Sequence, residues 1–164
     1  MKHPILWRVA SILTIALALA SQGFAQPSHQ LKLGGLIHHY TAALDANGPW
    51  HISGEWSIWI KGDSGKADFS AALSMVRADN PARQPHTHHI YVTDGDVVVT
   101  GTGFEISGAT AVTGSGNVSF PGAPIVVQIS GGNAVPYSNI AMSFTAGPSM
   151  GHFGAEPLGG VVTR

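Results

Sequence analysis

The chain is 164 residues long, contains no cysteine, and carries eight Lys and Arg residues against nine Asp and Glu residues. This length suits one domain with a packed core, and the missing cysteines exclude disulfides as a source of its stability. The near-neutral charge argues against nucleic acid as a partner, because phosphate binding requires clustered basic side chains. Charged residues are only 10% of a chain rich in Gly, Ser, Thr and Ala, which favours short strands over amphipathic helices.

Residues 1–25 have the features of a secretory signal peptide. A basic start precedes an apolar run that ends at Ala20, and small residues follow up to Ala25. We expect cleavage after Ala25, with Ala20 as the alternative. Cleavage removes two of the eight basic residues and none of the nine acidic ones, so residues 26–164 carry a formal charge of −3. No later stretch approaches the roughly 20 apolar residues that span a bilayer, and the expected location is secreted or periplasmic.

Residues 26–164 predict a single all-β domain, an antiparallel β-sandwich or small β-barrel of about eight strands. Residues Trp50 to Ile60 alternate cleanly, with Trp56 on the apolar face and Glu55 and Trp59 on the opposite face. Turn clusters rich in Gly, Asn, Asp and Pro separate the strands. The predicted strands are, in chain order, Leu36–Ala43, Trp50–Ile60, Ala67–Met75, Ile90–Thr93, Asp96–Thr100, Phe104–Ile106, Ala109–Thr113, Ile125–Ser130, Ile140–Thr145 and Leu158–Val162.

The most informative segment is His86-Thr87-His88-His89, which leads directly into the β-forming run that begins at Ile90. The Asp94-Gly95 pair after this run predicts a two-residue type I′ hairpin turn. Because alternate residues of a strand share a face, His88 joins Ile90 on an apolar face and His89 joins Tyr91 on a polar face. We therefore expect His88 to point inward and His89 to be exposed.

Two histidines separated by one residue on a strand lie on the same face, near enough to chelate one divalent ion. His86 and His88 have this spacing if the strand begins at His86, and His39 and His152 are the further candidate ligands. The predicted cofactor is a divalent metal, zinc or copper, and a catalytic role for it is left open. In the alternative interpretation, both imidazoles lie half in water at the mouth of the strand and bind no metal.

Two other classes of function are open. Trp59, Tyr91 and Glu55 can line a metal-free site for an apolar or carbohydrate ligand, since such sites combine aromatic surface with a few polar groups. The low charge and the Gly-, Ser- and Thr-rich strands are also typical of a structural exported protein that self-associates, with Trp59 as an oligomer contact. The expected partner is thus a small molecule or metal ion, with an oligomer as the alternative.

Overall fold

The computed structural model describes residues 30–42, 49–115, 119–131 and 137–164. The predicted signal peptide lies outside the described residues, as does most of the turn cluster before Trp50. Within the described part, eight strands form one closed antiparallel barrel with a short helix at one end, which confirms the all-β prediction and selects the barrel. The elements are β1 (Leu31–Thr41), β2 (Trp50–Ile60), β3 (Lys66–Arg77), β4 (His86–Thr100), β5 (Gly103–Gly114), β6 (Ser119–Ser130), β7 (Asn139–Phe144), α1 (Gly147–Phe153) and β8 (Leu158–Val162).

Each strand of the barrel pairs with its neighbour in the chain, and β8 returns to pair with β1. The closing contact is short and runs from Gly35 opposite Val162 to Ile37 opposite Gly160. Closure pairs each described strand with two neighbours over part of its length, which shortens the exposed strand edges at which sheets of different chains usually pair.

Side chains alternate between the two faces of each strand, and those that point inward fill the barrel and form the core. Along β2 the predicted faces are confirmed, because Ile52 and Trp56 are buried while Trp59 is exposed. The indole Nε1 of Trp56 donates a hydrogen bond to the carbonyl oxygen of Val161 at 3.3 Å, so the largest core side chain leaves no polar atom unpaired. Burial of one such side chain contributes about 2–3 kcal/mol, so packing can hold this cysteine-free domain together.

The hairpin predicted at Asp94-Gly95 is wrong. Strand β4 continues to Thr100, and the turn that leads into β5 lies at residues 101–102. At Asp94 the strand has a β-bulge, where φ is +54° and the register against β3 and β5 shifts. Aspartate tolerates this left-handed conformation, and its N–H is satisfied by the Asp68 carboxylate at 3.0 Å. A bulge and a type I′ turn require the same residue chemistry, which explains the error.

The assignment of faces on β4 survives this correction. The bulge shifts the alternation of inward and outward side chains by one residue. The predicted two-residue turn would have produced the same shift, so the predicted faces stay correct. His88, Ile90 and Val92 are therefore buried on the inner face, and His89 and Tyr91 are exposed outside. The two short strands predicted on either side of Gly108 also form one continuous strand, β5.

One end of the barrel carries the helix. Strand β4 begins at this end, strand β7 finishes there, and α1 packs against β6 and β7. Phe153 anchors the helix, because its buried ring stacks on Phe144 with centroids 4.5 Å apart and planes at 15°. In the described part of the chain, no helix is long and apolar enough to cross a membrane.

Candidate metal centre

Three imidazoles converge under helix α1. The Nε2 atom of His152 lies 2.9 Å from Nε2 of His88 and 3.3 Å from Nε2 of His86. One ring nitrogen from each residue lies within 4.8 Å of the other two. The structure thus brings together three of the four histidines predicted as metal ligands, from two elements that are more than sixty residues apart in the chain.

Local structure explains how each imidazole reaches the cluster. Strand β4 begins at His86, so its two-residue period sends His86 and His88 to the inner face. His152 precedes the anchor residue Phe153 on α1, and the buried Phe153 ring also contacts the His88 ring edge-on, with centroids 5.0 Å apart. The packing of this one side chain therefore fixes the position of α1 over the end of the barrel, and with it the position of His152.

The backbone orients His86 toward the centre of the cluster. Its Nδ1 atom lies 2.8 Å from the carbonyl oxygen of Gln84, and a carbonyl only accepts hydrogen bonds. The neutral ring consequently carries its proton on Nδ1 and keeps a lone pair on Nε2, the atom that faces His152. A hydrogen bond of this kind is the usual support of a metal-binding histidine. Gln84 has φ of +55°, a strained conformation for a residue other than glycine.

The environment disfavours protonation of the cluster. Burial, with the nearby His152 and His86, lowers the pKa of His88 to about 4, and burial together with His86 lowers the pKa of His152. At neutral pH, Nε2 of His152 either carries a proton, which it can donate to only one of its two neighbours, or bears a lone pair that repels the lone pair on Nε2 of His86. A bound cation relieves this repulsion, and a metal ion can do so where a proton is disfavoured.

The buried ring of His88 packs against the backbone of β5. Its Nδ1 atom makes no hydrogen bond of good geometry with any described residue, although the Thr113 backbone next to it raises the pKa slightly. Gly114 faces the ring, and a Cβ at this position would lie 2.5 Å from Nδ1. The imidazole of His88 can occupy this position only because Gly114 has no side chain.

We expect Gly114→Ala to displace the His88 ring and to weaken metal binding by about 10- to 100-fold, the usual range for changes in the support of a ligand. Metal titration of the purified variant measures this effect. The matched control is Gly101→Ala, because a Cβ at Gly101 meets no heavy atom within 4 Å. Equal metal affinity in Gly114→Ala and Gly101→Ala would show that the contact does not position His88.

Aromatic side chains enclose the three imidazoles. Ring centroids of Trp50 and His86 lie 5.0 Å apart, and those of Phe120 and His152 lie 5.5 Å apart. The guanidinium of the buried Arg77 lies over the Trp50 ring at 5.8 Å. This shell makes the surroundings of the cluster apolar, and an apolar shell strengthens the interaction of a bound ion with its ligands.

His39, the fourth predicted ligand, is not part of the cluster. It points inward on β1, and its Nδ1 atom accepts a hydrogen bond from the backbone N–H of Gly159 at 3.3 Å. The proton of the neutral ring therefore sits on Nε2, which is buried and has no partner among the described residues. Burial lowers the pKa of His39, and Glu156 opposes this effect. The tautomer suits a hydrogen-bond donor and not a metal ligand.

The residues predicted to bind a small ligand lie elsewhere, on the outer face of the barrel. Trp59 and Tyr91 line a groove of about 690 Å³, and Glu55 and Tyr91 line an adjoining groove of about 170 Å³. The sequence does not predict a site role for the residues that surround the imidazoles. Gln84, Gly114 and Phe120 have no sequence signal beyond those of turns and strands, because their roles arise from contacts between strands.

Without a bound metal, stability should depend on pH through His88. The pKa of His88 is lowered from 6.5 to about 4, so the unfolded state binds more protons between these values. Chelator-treated protein is therefore expected to lose roughly 2–3 kcal/mol of unfolding free energy as the pH falls from 7 to 4. Urea melts across this range measure the loss.

His88→Gln should reduce this loss, and the lowered pKa values of His39 and His152 leave a smaller slope. His89→Gln, an exposed neighbour on the same strand, should leave the profile unchanged. The carboxylates of Asp68 and Asp79 have lowered pKa values, so the stability that they contribute is lost mainly below pH 4. A wild-type profile that is flat between pH 7 and 5 would contradict the expectation.

The fold and the cluster define the protein as a small closed β-barrel with a three-histidine centre under a helical cap. Comparison with protein-family models, with curated proteins and with solved structures found no match to this chain. Its function is therefore inferred from the geometry and chemistry of its own residues.

Proposed function

We propose that this protein binds a divalent zinc or copper ion through His86, His88 and His152. The observation that supports the proposal is the convergence of the three Nε2 atoms at separations of 2.9 and 3.3 Å around His152. Two nitrogens bound to one tetrahedral zinc ion lie roughly 3.3 Å apart, since each Zn–N bond is about 2.0–2.1 Å long. The two Nε2 separations at His152 are therefore already close to that spacing.

The donor set indicates which metals fit. Neutral imidazole suits zinc and copper, whereas calcium and magnesium require oxygen ligands, and the cluster contains no carboxylate. Two of the three cluster side chains are also supported, His86 by the Gln84 carbonyl and His88 by its packing against Gly114. Such support is found around functional metal ligands and is not needed for histidines that merely fill space.

The direct test is the metal content of protein purified without chelators or added metal. We expect about one zinc or copper ion per chain. Returning the metal to chelator-treated protein at 100 times its dissociation constant should stabilise the fold by about 2.7 kcal/mol, which raises the melting temperature by roughly 8–12 °C. Metal-free native protein whose melting temperature is unchanged by zinc and by copper would overturn the proposal.

A catalytic role for the metal is a second candidate function. Three neutral ligands do not compensate the charge of a divalent ion, so the fourth position favours water that ionises readily. An apolar cleft of about 280 Å³ lies beside the centre and is lined by Phe120, Pro148 and Ser149. Hydrolysis of p-nitrophenyl acetate by the zinc-loaded protein, absent in His152→Ala, tests this role. Equal rates for the two proteins would exclude it for this ester.

Export belongs to the same proposal and is supported by the sequence of residues 1–25 alone. The full chain, expressed in a Gram-negative host, should appear in the periplasm or medium with Gln26 as its first residue, or Ser21 if the alternative cleavage site is used. N-terminal sequencing of the purified protein decides between the two sites. An uncleaved chain in the cytoplasm would contradict export.

A further inference from the structure

A groove of the described chain lies on the outer face of β1–β4, well separated from the inward-facing histidines. Its volume is about 690 Å³, and a smaller groove of about 170 Å³ adjoins it through shared lining residues. Trp59 and Tyr91 line it and remain 38% and 50% exposed. Two large aromatic side chains exposed beside one concave surface are unusual for a soluble protein and are typical of binding sites.

Strand pairing explains why a groove forms here. Gly34, Ser57, Ser70 and Tyr91 lie in one row across β1–β4, so three small residues lead to an aromatic side chain. The hydroxyl oxygens of Ser57 and Ser70 lie 2.8 Å apart and present hydrogen-bonding groups at the floor. The neighbouring row contains Trp59, so the floor lies between two aromatic rings.

Positive charge is concentrated at the β1 side of the groove. Lys32 lies with its Nζ atom 5.5 Å from the centroid of the Trp59 ring, and the Arg164 side chain lies directly over Gly34. Among the described residues, neither Lys32 nor Arg164 forms an ion pair. The nearby Asp68, by contrast, is neutralised by Lys61 at 2.8 Å. The groove therefore has cations available for a negatively charged group of a ligand.

We propose that this groove binds an acidic sugar, with its ring against Trp59 and Tyr91 and its carboxylate at Lys32 and Arg164. The apolar face of a pyranose fits an exposed aromatic ring, and guanidinium groups hold carboxylates through paired hydrogen bonds. Ser57 and Ser70 offer partners for hydroxyl groups, which an apolar ligand does not have. This function is independent of the metal centre, which occupies the interior at the capped end of the barrel.

Calorimetric titration of the full protein with trigalacturonate tests the proposal, with neutral galactotriose as the matched probe. We expect binding of the acidic trisaccharide that weakens with added salt, and affinity for the neutral one at least about tenfold lower. Trp59→Ala and Arg164→Gln should each weaken trigalacturonate binding by about tenfold or more. Matched controls are Tyr40→Ala, an exposed aromatic residue outside the groove, and Arg83→Gln, an exposed arginine in the β3–β4 loop.

Three results would overturn the proposal: no heat of binding at millimolar trigalacturonate, equal affinity for the neutral trisaccharide, or an unchanged affinity in Trp59→Ala. The outcome is separate from that of the metal proposal. Binding should persist after chelation and in His152→Ala, because neither change alters the outer face. If the protein binds the trisaccharide but no metal, only the metal proposal fails. If it binds metal but not the trisaccharide, only the sugar proposal fails.

Discussion

Replacement of His88 by alanine is expected to abolish stoichiometric metal binding and to lower the affinity for zinc or copper by more than about 100-fold. The imidazole of His88 is fully buried and its Nε2 lies 2.9 Å from that of His152, so its loss leaves two ligands and a gap between them. Two histidines hold a divalent ion far less tightly than three, since each ligand removed is replaced by water. Metal analysis after gel filtration and a competitive chelator titration measure the loss.

Because His88 lies in the core, a second variant separates metal loss from misfolding. His152 is only half-buried on the short helix, so His152→Ala should retain the barrel and lose the metal to a similar extent. His89→Ala is the matched control, since His89 neighbours His88 on β4 but faces solvent. Full metal retention in His152→Ala, with the fold intact by circular dichroism, would show that the cluster is not the metal site.

Truncation of Phe153 to alanine is expected to cost about 3–5 kcal/mol of unfolding free energy, the largest effect of any single change in the cap. The ring is 1% exposed, stacks on Phe144 with centroids 4.5 Å apart, and contacts His88 edge-on. Its removal leaves a cavity beneath α1 and takes away the contact that holds the helix. Urea denaturation of the metal-free protein measures this cost.

The same substitution should weaken metal binding, because the helix that Phe153 anchors also carries His152. Metal binding requires that α1 is packed on the barrel. In the variant, part of the binding free energy is used to pack the helix, which lowers the apparent metal affinity. Met150→Ala is the control: Met150 is 39% exposed on the same helix, and its truncation should change stability by less than about 0.5 kcal/mol. A loss below 1 kcal/mol in Phe153→Ala would mean that the cap is held by other contacts.

The two proposed sites differ in how far local sequence indicates them. The outer groove combines residues from the alternating polar faces of neighbouring strands, and Trp59, Tyr91 and Glu55 were identifiable from alternation alone. The cation Arg164 was not, because its position over Gly34 depends on the pairing of the chain end with β1. For the same reason the sequence does not predict the role of Gly114, which depends on the His88 ring that lies opposite it on the neighbouring strand.

The bulge at Asp94 shows a limit of local rules. A left-handed aspartate followed by glycine suits a hairpin turn and a bulge equally well, and the choice between them depends on distant partners. Here the Asp94 N–H donates a hydrogen bond to the Asp68 carboxylate, and the Asp94 carboxylate pairs with Lys61 at 2.5 Å. These contacts with β3 and the preceding turn keep β4 in the sheet through the bulge. Those contacts come from a segment that lies about 30 residues earlier in the chain.

The amino-acid sequence by itself determined the all-β class, the apolar face of each main strand, and the shared face of His86 and His88. These properties follow from the two-residue period of an extended backbone, which acts between neighbours. Only the tertiary structure decided that the sheet closes into a barrel, that β4 passes through a bulge, and that His152 and not His39 completes the cluster. The reason is physical: His152 reaches His86 and His88 only because Phe153 packs against β7, and packing between distant segments leaves no periodic trace in the sequence.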